Sequence, residues 1–425
     1  MPADAESLES RTSIVPTSPD QRLKIYAYIG FLFLVIPFIS IWGTSAKYFL
    51  KDTLHLKPEA TAGFLFYVHF PAYLGFLFGF VRDRWSPFRL RDQGMLLLFS
   101  GISTFFLFAT SLVSASFISL AILYIISAIV AQFLGAATQS LTSVIGQEHR
   151  MTGRLSAVWQ AAAGVPVLFV SLIAGDLAEQ MRFQNVLMLA GAISLGVFLF
   201  CLWRPREVYD AAEDAAVMKR NLLADVSILA KTKALYPVVA LLFLWNFTPG
   251  VGTPIQYYLS DTLHGGPKDF GKFNAIFSGC FIPTYLLYGY LCTKFRLPPL
   301  LWVCTVIAVP QILPLLLVKD ANTAMIAAVP MGLMGGLATA GYFDLLIKAC
   351  PPGLQGTVMM LGASAWVLSG QLGDVAGARL FGYFHSFAPC AWATALVYAF
   401  MIPIFALVPK QLTLQGDGEL PGAAA

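Results

Sequence analysis

Twelve stretches of roughly twenty apolar residues, separated by short polar breaks, constrain this chain more than any other feature. They run near 24–50, 60–81, 94–114, 116–146, 155–179 and 183–203, then near 235–260, 270–291, 298–318, 322–348, 356–379 and 386–408. A helix of that length crosses a hydrocarbon core, and backbone groups without water admit no other spanning structure except a closed barrel. Charged residues make up only 12% of the chain and hydrophobic ones 57%, so lipid rather than water is the main solvent. The pattern predicts an all-α polytopic membrane protein of about 12 transmembrane helices, with the long 116–146 stretch tilted or projecting.

Lys and Arg set the orientation. With the N-terminus inside, 19 of them fall in inner connections and 8 in outer ones. Both termini are therefore expected in the cytosol, with the protein in the cell (inner) membrane. Residues 1–23 lack the cationic start and apolar core of a secretory signal and read as a disordered cytosolic tail. The chain then divides into a six-helix bundle over 24–203, a charged cytosolic linker over 204–234, a second bundle over 235–408 and a tail over 409–425. A net charge of +4 spread among loops gives no nucleic-acid surface. The six cysteines are scattered without a CxxC or metal spacing, so no metal or cofactor is expected. Nothing in the sequence requires association, and a monomer suffices.

The two halves are copies. Residues 43–58, GTSAKYFLKDTLHLKP, and 252–267, GTPIQYYLSDTLHGGP, share nine of sixteen positions at a shift of 209. The match resumes at Pro71-Ala-Tyr73-Leu74 against Pro283-Thr-Tyr285-Leu286, and Arg82-Asp-Arg84 faces Lys294-Phe-Arg296. Each copy begins at the outer end of the first span of its half. Six spans per half in the same orientation imply two bundles related by an axis along the membrane normal, with a substrate site between them near mid-membrane. In this arrangement the chain resembles the major facilitator superfamily. That family's loop between the second and third helices is matched by Gly79, Asp83 and Arg84, with Arg89 and Arg91 displaced behind Trp85-Ser-Pro87. The resemblance implies that these residues form a charge clamp at the cytosolic helix ends, acting as a conformational switch.

A narrower resemblance is to the folate–biopterin transporter family. It rests on Tyr48-Phe-Leu50-Lys51-Asp52…Leu56-Lys-Pro58, on Thr248-Pro249…Tyr257-Tyr258 and on Cys350-Pro-Pro-Gly353-x-Gln-Gly356-Thr357. It implies a folate or pterin substrate. Where that family carries acidic residues in its fourth helix, this chain has Gln132, Thr138, Gln139 and Thr142.

Polar groups inside a span are costly unless hydrated, paired or facing a cavity, so they are the candidate site. Trp42, His69, Gln132, Asn246, Trp366 and Gln371 are candidate substrate contacts, since amides and indoles orient a polar ligand and aromatic faces cover planar rings. Lys47, whose repeat mate is Gln256, would attract an anionic group. Imidazole is the side-chain type that changes charge nearest physiological pH, and with Asp344 and Asp374 His69 is a candidate for proton coupling. Lys348 lies one turn beyond Asp344, the spacing of a local ion pair. Pro249-Gly-Val-Gly252 should interrupt the seventh span after Asn246. Asp52-Thr-Leu-His55 and Asp261-Thr-Leu-His264 should close the outer helix ends.

There is no phosphate-binding GxxxxGK[ST] loop, so an ATP-driven pump is disfavoured. A channel would need a row of charges or a filter loop. A membrane enzyme would need clustered carboxylates, a metal set or an activated nucleophile. The expected function is secondary transport of a small polar or anionic organic solute by alternating access, proton-coupled, with a sugar, amino acid or drug-like ion as the alternative cargo. A polytopic enzyme or a non-transporting sensor is the alternative from another class.

Overall fold

The computed structural model describes residues 18–55, 64, 67–113, 116–209, 222–265, 267–409 and 412, so the tails and part of the linker lie outside the described residues. The side chain of Lys47 also lies outside them. Twelve helical segments follow one another in the expected order, and among the described residues nine helices are long and apolar enough to cross a membrane. The first half comprises α1 (Pro19–Val35), α2 (Gly75–Arg84), α3 (Arg91–Ser111), α4 (Phe117–Glu148), α5 (Thr152–Gln180) and α6 (Phe183–Cys201). After a linker helix, Leu222–Lys231, come α7 (Leu235–Asn246), α8 (Phe281–Lys294), α9 (Leu297–Ala308), α10 (Ala321–Ala349), α11 (Gln355–Phe384) and α12 (Ala388–Ala406).

Local sequence sets several helix starts. Ser18 accepts from the Gln21 amide while Gln21 Oε1 accepts from Ser18, a reciprocal cap on α1. Ser116 with Ser119 opens α4, and Asp320 with Thr323 opens α10, in the same way. Large apolar side chains such as Leu199, Ile326 and Trp392 remain exposed on the outside of the bundles, where lipid is the solvent.

The repeat is visible in the breaks. The first span is not the continuous helix expected over 24–50. It passes through a 3-10 turn, Ile36–Ile41, resumes as Trp42–Tyr48 and ends in a π-helical turn, Phe49–Thr53. Pro37 has no N–H to donate to the helical ladder, which explains the interruption. At the same shift of 209, α7 stops at Asn246, resumes as Thr253–Tyr257 and ends in a π-helical turn, Tyr258–Thr262. Gly252 bridges this second break at φ 79°, which a side chain would strain. His55 and His264, again 209 apart, both take left-handed backbone just past the π turns. The repeated Asp-Thr-Leu-His segment thus ends a helix in both halves, as expected for an architectural element.

The interior divides unevenly. Call the face where α1 begins the terminal face. Toward it, one buried cluster joins both halves, with Ile25, Leu155 and Trp159 from the first and Tyr288, Phe343 and Val358 from the second. Toward the opposite face the interior splits into two clusters, one confined to the first half and the other to the second. Among the described residues the bundles therefore share a buried core only at the terminal face, while toward the other the helix Pro267–Gly279 of the second half still packs on α5.

Candidate functional site

The closed end is held by α2 against α11. The Asp83 carboxylate accepts from the Gly356 amide at 3.0 Å, the Thr357 amide at 2.8 Å and the Thr357 hydroxyl at 2.6 Å. The first turn of α11 has amides without intrahelical acceptors and carries the positive end of the helix dipole, so a carboxylate fits there. Arg82 Nη1 donates to Asp83 at 2.8 Å, and the same guanidinium forms a two-pronged pair with the fully buried Asp92. At Gly79 a Cβ would lie 2.4 Å from the Gly356 carbonyl oxygen, so α2 and α11 meet at a distance only glycine allows. Of the three residues expected to form the switch, Gly79 and Asp83 come together on α11. Arg84 lies instead with its guanidinium 5.9 Å from the Phe80 ring centre. The guanidinium that meets Asp83 belongs to Arg82, which sequence reasoning placed among the inner cations and in the repeat but not in the switch.

Further ties cross the seam at this end. Gln147 donates to the Ile347 and Cys350 carbonyls at 2.8 Å each, and Gln355 donates to Gln147 at 3.3 Å. Ser156 donates to the Ala340 carbonyl at 3.0 Å. Asp344 is fully buried on α10, where it accepts from Tyr288 at 2.9 Å and pairs with Lys348 at 3.3 Å. A Cβ at Gly153, on α5 of the first half, would be 3.2 Å from the same carboxylate. At the start of α1, Lys24 bonds Glu207 of the linker at 2.6 Å and holds the Glu207 carboxyl below its ordinary range.

Above the closed end lie two cavities, one in each half. The first, about 310 Å³, is lined from the first span by Leu32, Phe33, Ile36, Pro37, Ile39, Ser40 and Trp42, and from other helices by residues that include Ser103, Thr138, Gln139 and Trp159. The second, about 110 Å³, is lined from α7 and its continuation by Trp245, Asn246, Thr248 and Val251, and elsewhere by Gln311, Thr339, Trp366 and Thr394. The four wall positions on the seventh span each correspond, at the repeat shift of 209, to one of the seven on the first: Ile36, Pro37, Ile39 and Trp42. Duplication has placed the same slots around both cavities, with Pro and Ile in the first where Asn and Thr stand in the second.

Between the cavities runs a row of rings. Phe33 stacks on Trp159 at 5.1 Å, Trp159 meets the edge of Phe343 at 4.9 Å, and Phe343 lies 5.3 Å from Trp366. Trp159 borders the first cavity and Trp366 the second, so Phe343 separates them between two tryptophans. Sequence reasoning missed Trp159, Phe343 and Gln311. A signal for Trp159 existed: Ser156-Ala-Val-Trp159 and Ala363-Ser-Ala-Trp366 align at a shift of 207.

The other expected site residues are dispersed. Trp42 packs on Tyr124 at 4.6 Å in the wall of the first cavity. His69 is exposed at a break before α2, its ring 6.0 Å from Tyr124. Gln132 reaches the α2 contact, with its Oε1 2.9 Å from where a Gly75 Cβ would stand. Asn246 and Trp366 share the second cavity and are joined by an Asn246 Nδ2–H bond to the Trp366 carbonyl at 2.7 Å. Gln371 is exposed on α11. Asp374 accepts from the Thr253 amide at 2.7 Å and its hydroxyl at 2.9 Å, capping the second piece of the seventh span within one half. Among the described residues no cluster of His, Cys, Asp or Glu could hold a metal ion.

Two six-helix bundles in parallel, sharing a buried core toward one face with paired cavities above it, define a multi-pass membrane transporter. A profile of the Major Facilitator Superfamily matches residues 25–374, and the chain belongs to that family, which is one of secondary transporters and not of enzymes. The fold is similar to that of the proton:xylose symporter XylE bound to 6-bromo-6-deoxy-D-glucose, with a TM-score of 0.66 at 14% identity over 92% of this chain and 96% of that one. It is equally similar to the E. coli fucose:proton symporter FucP, with a TM-score of 0.66 at 13% identity over 91% and 99% of the two chains. Among curated relatives, Folate transporter 1 of Plasmodium falciparum (isolate 3D7) is 26% identical over 65% of this chain and 55% of its own length. The chain thus spans little more than half of that relative. The Folate-biopterin transporter of Synechocystis sp. (strain ATCC 27184 / PCC 6803 / Kazusa) is 22% identical over 79% of this chain and 70% of its own.

Proposed function

We propose that this chain carries a flat, polar or anionic organic solute of the folate or pterin class across the membrane by alternating access. The observation that carries the reading is the pair of duplicated cavities set against a row of four aromatic rings at the seam of two bundles. Aromatic faces cover flat rings, and hydroxyls and amides at the cavity walls orient their edges. The names of the curated relatives support the same solute class. The halves at 24–203 and 235–408 are the moving bodies, with 204–234 linking them and the tails, 1–23 and 409–425, outside the bilayer.

The excess of Lys and Arg supports a cytosolic terminal face, in the cell (inner) membrane. On that reading the conformation described above is outward-facing, with Gly79 and Asp83 as its cytosolic latch and Arg84 at the rim. The solute enters between the cavities, flanked by Trp42 and Trp159 on one side and Asn246 and Trp366 on the other. His69, Gln132 and Gln371 line the approach, and Lys47 attracts an anionic group of the solute. Transport is coupled to protons, carried by Asp344 in preference to His69 or Asp374, because Asp344 is the carboxylate of the three at the seam between halves.

The test is thermal stability of the purified protein against folates, pterins, sugars, amino acids and organic anions, followed by uptake into proteoliposomes with and without a pH gradient. A ligand at ~100 times its dissociation constant stabilises by about 2.7 kcal/mol, a measurable rise in melting temperature. Stabilisation by folates or pterins with gradient-driven uptake is the expected result. Stabilisation by another class alone would remove the solute assignment and leave the transporter standing.

A further inference from the structure

One group in the second cavity lacks a partner that the fold supplies. Gln311 is 4% exposed and its Nε2–H donates to the Met331 carbonyl at 3.0 Å, while its Oε1 is buried with no donor. A buried acceptor left so is uncommon and costly. The chain is shaped to hold it there. α9 stops at Ala308, the Gln311 amide closes a turn onto the Ala308 carbonyl at 3.1 Å through Pro310, and a 3-10 segment, Leu313–Leu317, follows. Opposite, Gly335 leaves room for the amide, since a Cβ there would lie 2.3 Å from Gln311 Nε2.

The other walls point to the same chemistry. Asn246 spends its amide N–H on the Trp366 carbonyl, which leaves Oδ1 as the acceptor available to the cavity. The Trp245 indole N–H is spent on Thr339, and the Thr394 hydroxyl is spent on the Cys390 carbonyl. One N–H of each amide and the indole N–H are thus committed to protein, while the oxygen and the second N–H of each amide remain. The hydroxyls of Thr248 and Tyr398 can serve as donor or acceptor. Trp245, Phe281, Trp366 and Tyr398 supply flat apolar surfaces, and no charged residue lines the cavity.

We propose that this cavity reads the edge of a flat, neutral ring carrying N–H donors beside a carbonyl, with the amide oxygens of Gln311 and Asn246 accepting from the ring and Gln311 setting specificity. The inference rests on the transporter reading above, with a pteridine as the ring. The larger first cavity, mainly apolar with the hydroxyls of Ser40, Ser103, Ser127 and Thr138 on its wall, then takes the rest of the solute across the Trp159–Phe343–Trp366 row.

The test uses the full chain in detergent and two probes, 2-amino-4-oxopteridine and its 2,4-dioxo counterpart, in which an oxygen replaces the amino group. Wild type binds the amino compound about tenfold more tightly, because beside the shared N3–H the dioxo compound turns a carbonyl oxygen, in place of an amino N–H, toward one of the two amide oxygens. Gln311→Leu, and Gly335→Ala as a second route to displacing the same side chain, bring that ratio close to one. A general packing defect would weaken both probes together and preserve the ratio. Equal binding of the two probes by wild type, or a preference that survives in both variants, overturns this inference alone. Failure of wild type to bind any pteridine overturns both the solute assignment and this site.

Discussion

The backbone N–H of Thr357 donates to the carboxylate of Asp83 at 2.8 Å, across 274 residues of sequence and across the boundary between two bundles. With the Gly356 amide and the Thr357 hydroxyl on the same carboxylate, one side chain of the first half caps a whole helix of the second. The bond can exist only while the terminal face is closed, so its strength enters the equilibrium between conformations directly.

Replacing Asp83 by Asn keeps the shape but removes the charge. Hydrogen bonds to an ionised group contribute about 1.5–3 kcal/mol, roughly twice the neutral value, so the latch weakens by about 1–2 kcal/mol. Turnover in proteoliposomes should change about five- to thirtyfold, while ligand affinity measured by titration moves less. Unchanged turnover would remove Asp83 from the switch.

Gly79→Ala tests closure by sterics alone. The added methyl would stand 2.4 Å from the Gly356 carbonyl, a backbone atom that cannot rotate away. Overpacking of this kind costs about 1–3 kcal/mol, here charged to the closed state only. Gly196→Ala on α6 is the control, because a Cβ there meets nothing within 4 Å. Accessibility of Cys350, buried at the terminal face, to a thiol reagent should rise in the first variant and stay unchanged in the second.

The twelve helical segments, the duplication and the loop carrying Asp83 were legible because they rest on hydropathy and on residue identity, both of which a sequence carries openly. The site was legible only in part. Asn246 and Trp42 drew attention as polar or aromatic residues beside helix breakers, Trp366 as an indole within a span, and all three line cavities. Trp159 and Phe343 are ordinary large residues in apolar helices, and only the crossing of α5 and α10 brings their rings together. Gln311 lies where α9 breaks, and its isolation follows from neighbours that spend their donors elsewhere. The part of Arg82 in the latch depends on which of two adjacent arginines turns inward, a rotation that the linear order does not encode.

Phe343 lies between Trp159 and Trp366 at 4.9 and 5.3 Å. Phe343→Leu keeps apolar volume but removes both ring contacts, each amounting to about 0.5–1.5 kcal/mol beyond area burial. If the row carries a flat solute, affinity should fall about three- to tenfold, with a loss of a few degrees in melting temperature. Full affinity in a stably folded variant would move the solute away from the row.

Asp344 and Asp374 can be told apart by what each touches. Asp374 holds Thr253 within one half, so its replacement by Asn should lower melting temperature and slow solute exchange and gradient-driven uptake together. Asp344 sits at the seam, bonded by Tyr288 and Lys348 and in close approach to Gly153 of the other bundle. A proton arriving there weakens the Lys348 pair and alters the fit against α5, which ties protonation to the opening of the terminal face. Asp344→Asn fixes a neutral side chain at that place. Exchange of labelled for unlabelled solute needs no net proton movement and should persist near wild-type rate. Accumulation driven by a pH gradient should fall at least about tenfold. If accumulation survives, or if exchange is lost equally, protons are coupled elsewhere or not at all.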